Sequence, residues 1–151
     1  MKYRLPPSTL VDVVSTAGHC DAQAFGLTCN EFCDAFYEDY PDREAMQAHL
    51  DPEPEATGDP QKDAWIGAIG EHLALRWGLE VPRWTRRPIH FALMKPVFMP
   101  QSLALRTALI AESPSAFRSR LIYTMAEPLR RARFPSGVRP THMPWVNDAI
   151  N

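Results

Sequence analysis

Five arginines in the second half of the chain have side chains suited to binding an anionic partner. They are Arg118, Arg120, Arg130, Arg131 and Arg133. A guanidinium group is planar and donates parallel hydrogen bonds to one carboxylate or phosphate. Only Phe117, Tyr123 and Phe134 accompany them as rings on which unpaired bases could stack. The cluster therefore predicts a partner-binding surface, for a protein rather than a nucleic acid, with a solvated basic face as the simpler alternative.

Charge is divided unevenly along the 151 residues, although the net charge is only −2. Residues 1–80 contain five Lys/Arg and fifteen Asp/Glu, which gives 5 − 15 = −10. Residues 81–151 contain eleven Lys/Arg and three Asp/Glu, which gives 11 − 3 = +8. Either the basic half faces a partner, or the two halves pack together and neutralise each other. The sequence leaves both interpretations open.

Cysteine and histidine side chains near the N-terminus could bind a metal ion. They are His19, Cys20, Cys29 and Cys33. Structural zinc sites use two closely spaced ligand pairs, whereas only Cys29 and Cys33 form such a pair here. Adjacent His19 and Cys20 could not both chelate easily, and free cysteine is commonly a buried residue. We therefore expect no metal and no other cofactor, and the odd number of cysteines indicates a reducing compartment.

A second candidate for chemistry is Arg43 with His49, within the stretch REAMQAH. The pair resembles the arginine–histidine signature of all-helical ribonucleases of the HEPN superfamily. In that superfamily the two side chains meet across a dimer and act on an RNA phosphate, and histidine titrates near neutral pH. Here the pair lies early in the chain, on a short acidic helix unlike the long helix of that superfamily. An RNA-cleaving enzyme is therefore kept as an alternative.

Glu71 and His72 are adjacent on a predicted helix. A buried Glu–His pair could perform acid–base chemistry, but such pairs more often complete a hydrogen-bond network in a core. No nucleophile or second carboxylate is tied to this pair by spacing. The sequence also lacks the glycine-rich loops that cradle nucleotide phosphates. We therefore predict a protein with no catalytic activity of its own.

These side chains must be positioned by helices, and the strongest helix signal is DPQKDAWIGAIGEHLALRWG, residues 59–78. Asp59 is a good N-cap, because its carboxylate accepts hydrogen bonds from free N–H groups of the first turn. Pro60 follows at the position where a missing N–H costs nothing. Gly78 lies just past the last apolar residue, as C-terminal caps often do. The signals predict a helix over 59–77.

Apolar residues recur every four positions along this helix. They are Trp65, Ile69, Leu73 and Trp77. Further apolar residues widen this stripe over most of the helix, which is typical of a helix buried on several sides. Gly67 and Gly70 are poor helix formers, so we expect that they let a neighbouring helix approach closely. This helix is predicted to be the centre of the fold.

Shorter helices are predicted on both sides of the central one. Ser8 or Thr9 caps the first, Thr28 opens the second with a capping-box pattern, and Ser113 caps a later one. The segment 79–100 is rich in proline, and we expect it to wrap across the central helix with one short helix near 88–94. Residues 121–123 favour a strand but are few. The predicted helices span 7–17, 28–40, 43–50, 59–77, 101–111 and 126–134, with a short one after Ser113.

The fold class predicted is all-α, a single compact bundle of about six short helices around the central helix, joined by proline-rich irregular connections. One domain is expected over 1–134, followed by a loosely docked tail over 135–151. No apolar run approaches the about 20 residues needed to span a bilayer, and the N-terminus lacks a signal-peptide pattern. We therefore expect a cytoplasmic protein without a membrane partner.

Two stretches resemble a widespread bacterial domain of small helical proteins. They are DAWIGAIGEHLALRWGLEVPRW (63–84) and ESPSAFRSR (112–120). The shared pattern is an apolar helix ending in Gly-Leu, then Pro-x-Trp, and later Ser-Pro-x-x-Phe-Arg-x-Arg. Such domains look like the non-DNA-binding half of antitoxin-like regulators, found behind helix-turn-helix modules or beside nucleotidyltransferase-like toxins. The resemblance covers roughly half of the chain, and its motifs carry no active site.

The resemblance implies an antitoxin-like protein that binds and neutralises a cognate toxin, which could be a nucleotidyltransferase. This chain has no N-terminal helix-turn-helix, so protein–protein binding is the part of the resemblance that transfers. The first alternative is the HEPN-type ribonuclease, and the second is a basic accessory module that binds nucleic acid.

Overall fold

The computed structural model describes residues 5–135, and within them six α-helices form an all-α fold, as predicted. Two strands of two residues each pair in parallel, with Val97 opposite Ile122. No helix in this part of the chain is long and apolar enough to cross a membrane. The predicted tail falls almost entirely outside the described residues. The elements are α1 Leu10–Ala17, α2 Ala22–Glu38, α3 Arg43–Leu50, α4 Pro60–Arg76, β1 Val97–Phe98, α5 Arg106–Glu112, α6 Ser115–Arg118 and β2 Ile122–Tyr123.

The central helix α4 begins and ends where its signals predict. The Asp59 carboxylate accepts hydrogen bonds from the N–H groups of Gln61 and Lys62, and Pro60 is the first helical residue. Ile69 and Leu73 are completely buried, and Trp77 is 8% exposed. Trp65 is half-buried, and its ring packs edge-on against Phe117 at 5.0 Å. All four residues of the predicted apolar stripe thus contribute to the core or its border.

The two glycines of α4 permit a close approach, but not by a helix of the bundle. The segment 83–91 wraps across α4 as two 3₁₀ turns, Arg83–Arg86 and Pro88–Phe91. A Cβ on Gly67 would lie 2.6 Å from Cβ of His90, and one on Gly70 would lie 2.8 Å from the Trp84 ring. The predicted wrapping and the short helix near 88–94 are confirmed, and the close approach at these glycines is by short 3₁₀ helices rather than by an α-helix. Prolines in this segment permit only short turns.

The predicted start of the second helix at Thr28 is also wrong. α2 begins at Ala22, and the Asp21 carboxylate accepts from the N–H of Ala24. Thr28 lies inside the helix, where its hydroxyl donates to the carbonyl of Ala24 at 2.9 Å. A threonine inside a helix satisfies its hydroxyl in this way, so the capping-box pattern alone does not fix a helix start. In contrast, Thr9, one of the two predicted caps, does cap α1, and it forms reciprocal hydrogen bonds with Asp12.

Two of the C-terminal predictions fail, the N-terminal cap at Ser113 and the helix over 126–134, whereas a short helix after Ser113 and a strand at Ile122–Tyr123 are present. The Ser113 hydroxyl donates to the carbonyl of Leu109 and accepts from the N–H of Thr124, so it joins the end of α5 to the residue after β2 and does not cap α6. Residues 126–134 form turns instead of a basic helix. Pro128 lies within this segment, and the carbonyl of Leu129 accepts from the Tyr37 hydroxyl at 2.7 Å. Tertiary contacts therefore hold this segment in an irregular path.

Candidate functional site

The structure does not bring the five predicted partner-binding arginines together. Arg120 is 1% exposed and lies in the core. Its guanidinium group donates to Glu71 at 2.6 Å and to the carbonyls of Ala116 and Thr85, each at 2.7 Å. A side chain that is buried and bonded on several sides holds the fold together. Arg120 is therefore corrected from a partner-binding residue to a core residue.

Two more of the arginines pair with the acidic half of the chain. Arg131 binds the carboxylate of Asp34 through two nitrogens, at 3.0 and 3.2 Å. Arg133 lies 2.6 Å from Glu38, which is on α2 like Asp34. For these residues the two halves of the chain neutralise each other, as the second interpretation of the uneven charge predicts. Of the five predicted arginines, only Arg118 and Arg130 are exposed and form no ion pair with another residue of the range 5–135.

Arg43 and His49 lie on α3 but do not form a joint site. Arg43 donates a hydrogen bond to the carbonyl of Gly78. His49 Nε2 lies 2.5 Å from a carboxylate oxygen of Asp39, and Nδ1 faces the carbonyl of Ser8. Both side chains thus join α3 to neighbouring segments. This geometry does not support the ribonuclease alternative within one copy of the chain.

The cysteines do not form a metal site among the described residues. Cys29 and Cys33 are buried in the core, and Cys20 is exposed. Burial raises the pKa of the Cys29 thiol to about 12 and raises that of Cys33 as well, so both stay protonated at neutral pH. Between residues 5 and 135, no group of three or more His, Cys, Asp or Glu side chains could hold a metal ion.

The two stretches that carry the family resemblance meet in the core. Glu71 of the first stretch binds Arg120 of the second and also lies 2.7 Å from Arg86. Phe117 of the second stretch packs against the rings of Trp65 and His72, at 5.0 and 5.4 Å. The Ser-Pro-x-x-Phe-Arg-x-Arg motif therefore supplies one ring and one cation to the central helix. Its spacing is a packing signature, and Glu71 acts here as the partner of two arginines.

The feature that sequence reasoning missed is an open groove of about 680 Å³ beside α2 and α4. Its walls come from the N-terminal halves of both helices, from both strands and from the segment 124–130. The lining is mainly apolar, and Met99 and Met125 are 41% and 56% exposed at its border. The main apolar lining residues are Phe25, Trp65, Val97, Met99, Ile122, Met125 and Leu129.

Charged residues border this groove, but most are already paired. Lys62 donates to the carbonyls of Gly18 and Cys20. Glu127 accepts from Arg76 at 2.9 Å, while its burial raises the pKa of its carboxyl group. Arg130 is exposed, and its guanidinium group lies over the ring of Phe134 at 5.4 Å. Arg130 is thus the cation at this border that remains available to an acidic group of a ligand.

One wall of the groove has room for a larger side chain. Gly26 lies on α2 in the lining, and a Cβ placed there would have no atom within 4 Å. Ala22 is one turn earlier on the same helix and also lines the groove. Small side chains along this face leave the backbone of α2 accessible. Because the lining residues come from four separate stretches of the chain, no single sequence period reveals the groove.

Comparison with protein-family models, curated proteins and solved structures finds no match to this chain. The resemblance to antitoxin-like domains therefore stays a prediction from the two motifs.

His90 gives the fold a predicted dependence on pH. Its Nδ1 lies 2.7 Å from the carbonyl of Asp63, so this nitrogen carries the proton. Nε2 is buried and has no hydrogen-bond partner among residues 5–135. Burial lowers the pKa of His90, and the nearby charge of Arg120 lowers it further. Protonation at Nε2 would therefore place a second charge beside Arg120 without an acceptor.

The folded chain thus binds a proton at His90 less readily than the unfolded chain, in which the histidine pKa is about 6.5. We expect the contribution of neutral His90 to be complete above about pH 6.5 and to decrease as the pH falls towards the folded-state pKa. Urea unfolding at about pH 7.5 and about pH 5.5 measures this. His90→Asn keeps a donor for Asp63 but does not titrate, so its stability should change less with pH. An equal change in both proteins would contradict the assignment.

Proposed function

We propose that this protein is an antitoxin-like protein that binds a cognate protein toxin through the groove between α2, α4 and the two strands. The observation that carries the proposal is the open apolar lining of this groove. Apolar surface exposed in a concave site gains free energy when a partner removes it from water. The resemblance of the two motif stretches to antitoxin-like domains supplies the class of partner.

The shape of the groove favours a segment of a protein over a small molecule. It is partly open to solvent and borders the exposed methionines Met99 and Met125. Methionine is flexible and polarizable, and it is enriched in protein–protein interfaces. An amphipathic helix of a toxin could place its apolar face in the groove, as helix-in-groove complexes do. An acidic residue of that helix would meet Arg130.

The test is co-expression with the protein encoded in the neighbouring reading frame, followed by titration calorimetry. Gly26→Trp fills the groove from a position where the wall has free space, so the fold is expected to survive. We expect the dissociation constant to rise by at least about tenfold, because the indole occupies volume that the partner needs. Glu31→Trp is the matched control, since Glu31 is exposed on the same helix outside the lining.

Three results would count against parts of the proposal. Failure of the neighbour-encoded protein to bind, or a failure to relieve its toxicity, would contradict the antitoxin function. Equal binding by wild type and Gly26→Trp would place the interface elsewhere on the surface. An equal loss in Glu31→Trp would show that any added indole on α2 interferes, and the groove would lose its support.

A further inference from the structure

The outer face of the two-stranded sheet carries a stack of planar groups that the groove does not use. Phe98 of β1 and Tyr123 of β2 lie with ring centroids 5.1 Å apart and an interplanar angle of 20°. The guanidinium carbon of Arg106 lies 4.7 Å from the centroid of the Phe98 ring. Both aromatic residues are half-buried, and Arg106 is exposed. The result is an arginine–phenylalanine–tyrosine stack at the surface.

This stack and the groove lie on opposite faces of the same small sheet. Successive side chains of a strand point to opposite faces. Val97 and Ile122 line the groove, so their neighbours Phe98 and Tyr123 face away from it. A ligand of the stack would therefore contact different side chains from a partner in the groove.

Three unpaired cations lie on the segments that carry or lead into the stack. Lys95 and Arg118 are exposed, and neither they nor Arg106 form an ion pair with any described residue. Lys95 lies just before β1, and Arg118 ends the helix α6 that precedes β2; because the strands are parallel, both segments enter the sheet from the same end. Internal pairing neutralises Arg120, Arg131 and Arg133 but leaves these three charges open to an anion.

We infer that this face binds single-stranded nucleic acid. An unpaired base would stack on the exposed end of the Arg106–Phe98–Tyr123 stack, and Lys95 and Arg118 would bind adjacent phosphates. Aromatic rings and arginine planes that accept bases, together with cations that follow the backbone, are the usual components of such sites. The recognition is of base planes and phosphates, so little sequence preference is expected.

An acidic protein partner is the competing explanation, since Leu103 and Ile110 of the adjacent α5 region are 79% and 49% exposed. Two observations favour nucleic acid. Arg106 lies over one ring of a stacked aromatic pair, whereas a carboxylate partner needs no ring beside its arginine. In addition, Arg106 is exposed, and an exposed guanidinium group beside aromatic rings offers a surface on which an unpaired base can stack.

The test measures fluorescence anisotropy of a labelled oligouridine of about 12 nucleotides, with a duplex of the same length as a competitor. We expect Arg106→Glu to weaken binding by at least about tenfold, and Arg106→Lys to weaken it by a smaller factor because charge remains but the plane is lost. Arg83→Glu is the matched control, since Arg83 is exposed, unpaired within residues 5–135 and outside this face. It changes the net charge equally and should alter affinity by less than about twofold.

Salt dependence gives a second readout. Three phosphates neutralised by Lys95, Arg106 and Arg118 predict a log–log slope of about −2, from about −0.7 for each phosphate on a single strand. The inference is overturned if wild type does not bind the oligouridine at about 50 mM salt, or if Arg83→Glu loses as much affinity as Arg106→Glu. Equal affinity of Arg106→Lys and wild type would show that the guanidinium plane of Arg106 does not stack on a base. None of these measurements involves the groove or the toxin.

Discussion

Replacing Arg120 by methionine is expected to lower the free energy of unfolding by about 3–5 kcal/mol. Methionine keeps much of the buried volume of the arginine side chain. The expected loss of stability therefore comes from the unpaired charge that is left and not from a cavity. Glu71 is 4% exposed and would keep only its contact with Arg86, whose side chain is 62% exposed. The carbonyl of Thr85 would lose its donor as well. Removing one member of a buried ion pair is costly because the other charge stays buried.

The measurement is chemical unfolding followed by circular dichroism, with Arg133→Met as the matched control. Arg133 also forms an ion pair, with Glu38, but both side chains are more than half exposed. Exposed pairs contribute about 0–1 kcal/mol, so this variant should unfold almost like wild type. A double variant, Arg120→Met with Glu71→Leu, should recover part of the loss because no charge remains buried. Equal stability of Arg120→Met and Arg133→Met would show that Arg120 is not a core residue.

The contrast between these two arginines shows where sequence reasoning succeeds and where it stops. Both belong to one predicted cluster, because the sequence shows that a residue is charged but does not show whether its side chain is buried. Whether an arginine faces solvent depends on residues far away in the chain, such as Glu71 for Arg120 and Glu38 for Arg133. Local signals were better founded: the caps of α1 and α4 use only neighbouring residues, and both are where the sequence places them.

The groove illustrates the same limit for the candidate site. Trp65 could be identified as an apolar helix residue, whereas Phe25 lies before the predicted start of the second helix at Thr28. Nothing in either helix distinguishes a groove wall from a core position. Val97 and Ile122 are separated by 25 positions and become neighbours only because β1 and β2 pair in parallel. Pairing of such distant residues depends on the whole fold, so no hydrophobic period within one element predicts it. The helix predicted over 126–134 is absent for a related reason, because Pro128 and the hydrogen bond from Tyr37 to Leu129 override the helical pattern.

Adding a single methyl group at Gly67 is expected to destabilise the protein by about 1–3 kcal/mol, although alanine is the better helix former. The new Cβ would lie 2.6 Å from Cβ of His90 and 3.0 Å from Nε of Arg120. Cβ of His90 is attached directly to the backbone, so it moves only if the turn Pro88–Phe91 moves away from α4. That displacement would also disturb the hydrogen bond from His90 to the carbonyl of Asp63.

Gly26→Ala is the matched control for this substitution, since it makes the same chemical change inside another helix. A Cβ at Gly26 would have no atom within 4 Å, so only the gain in helix propensity remains, and stability should rise by up to about 1 kcal/mol. The two variants are therefore expected to shift the unfolding midpoint in opposite directions, as measured by urea denaturation at constant pH. A stabilising Gly67→Ala would mean that the segment 83–91 does not pack tightly on the central helix. The contact that joins the two motif stretches around Arg120 would then also be looser than the geometry indicates.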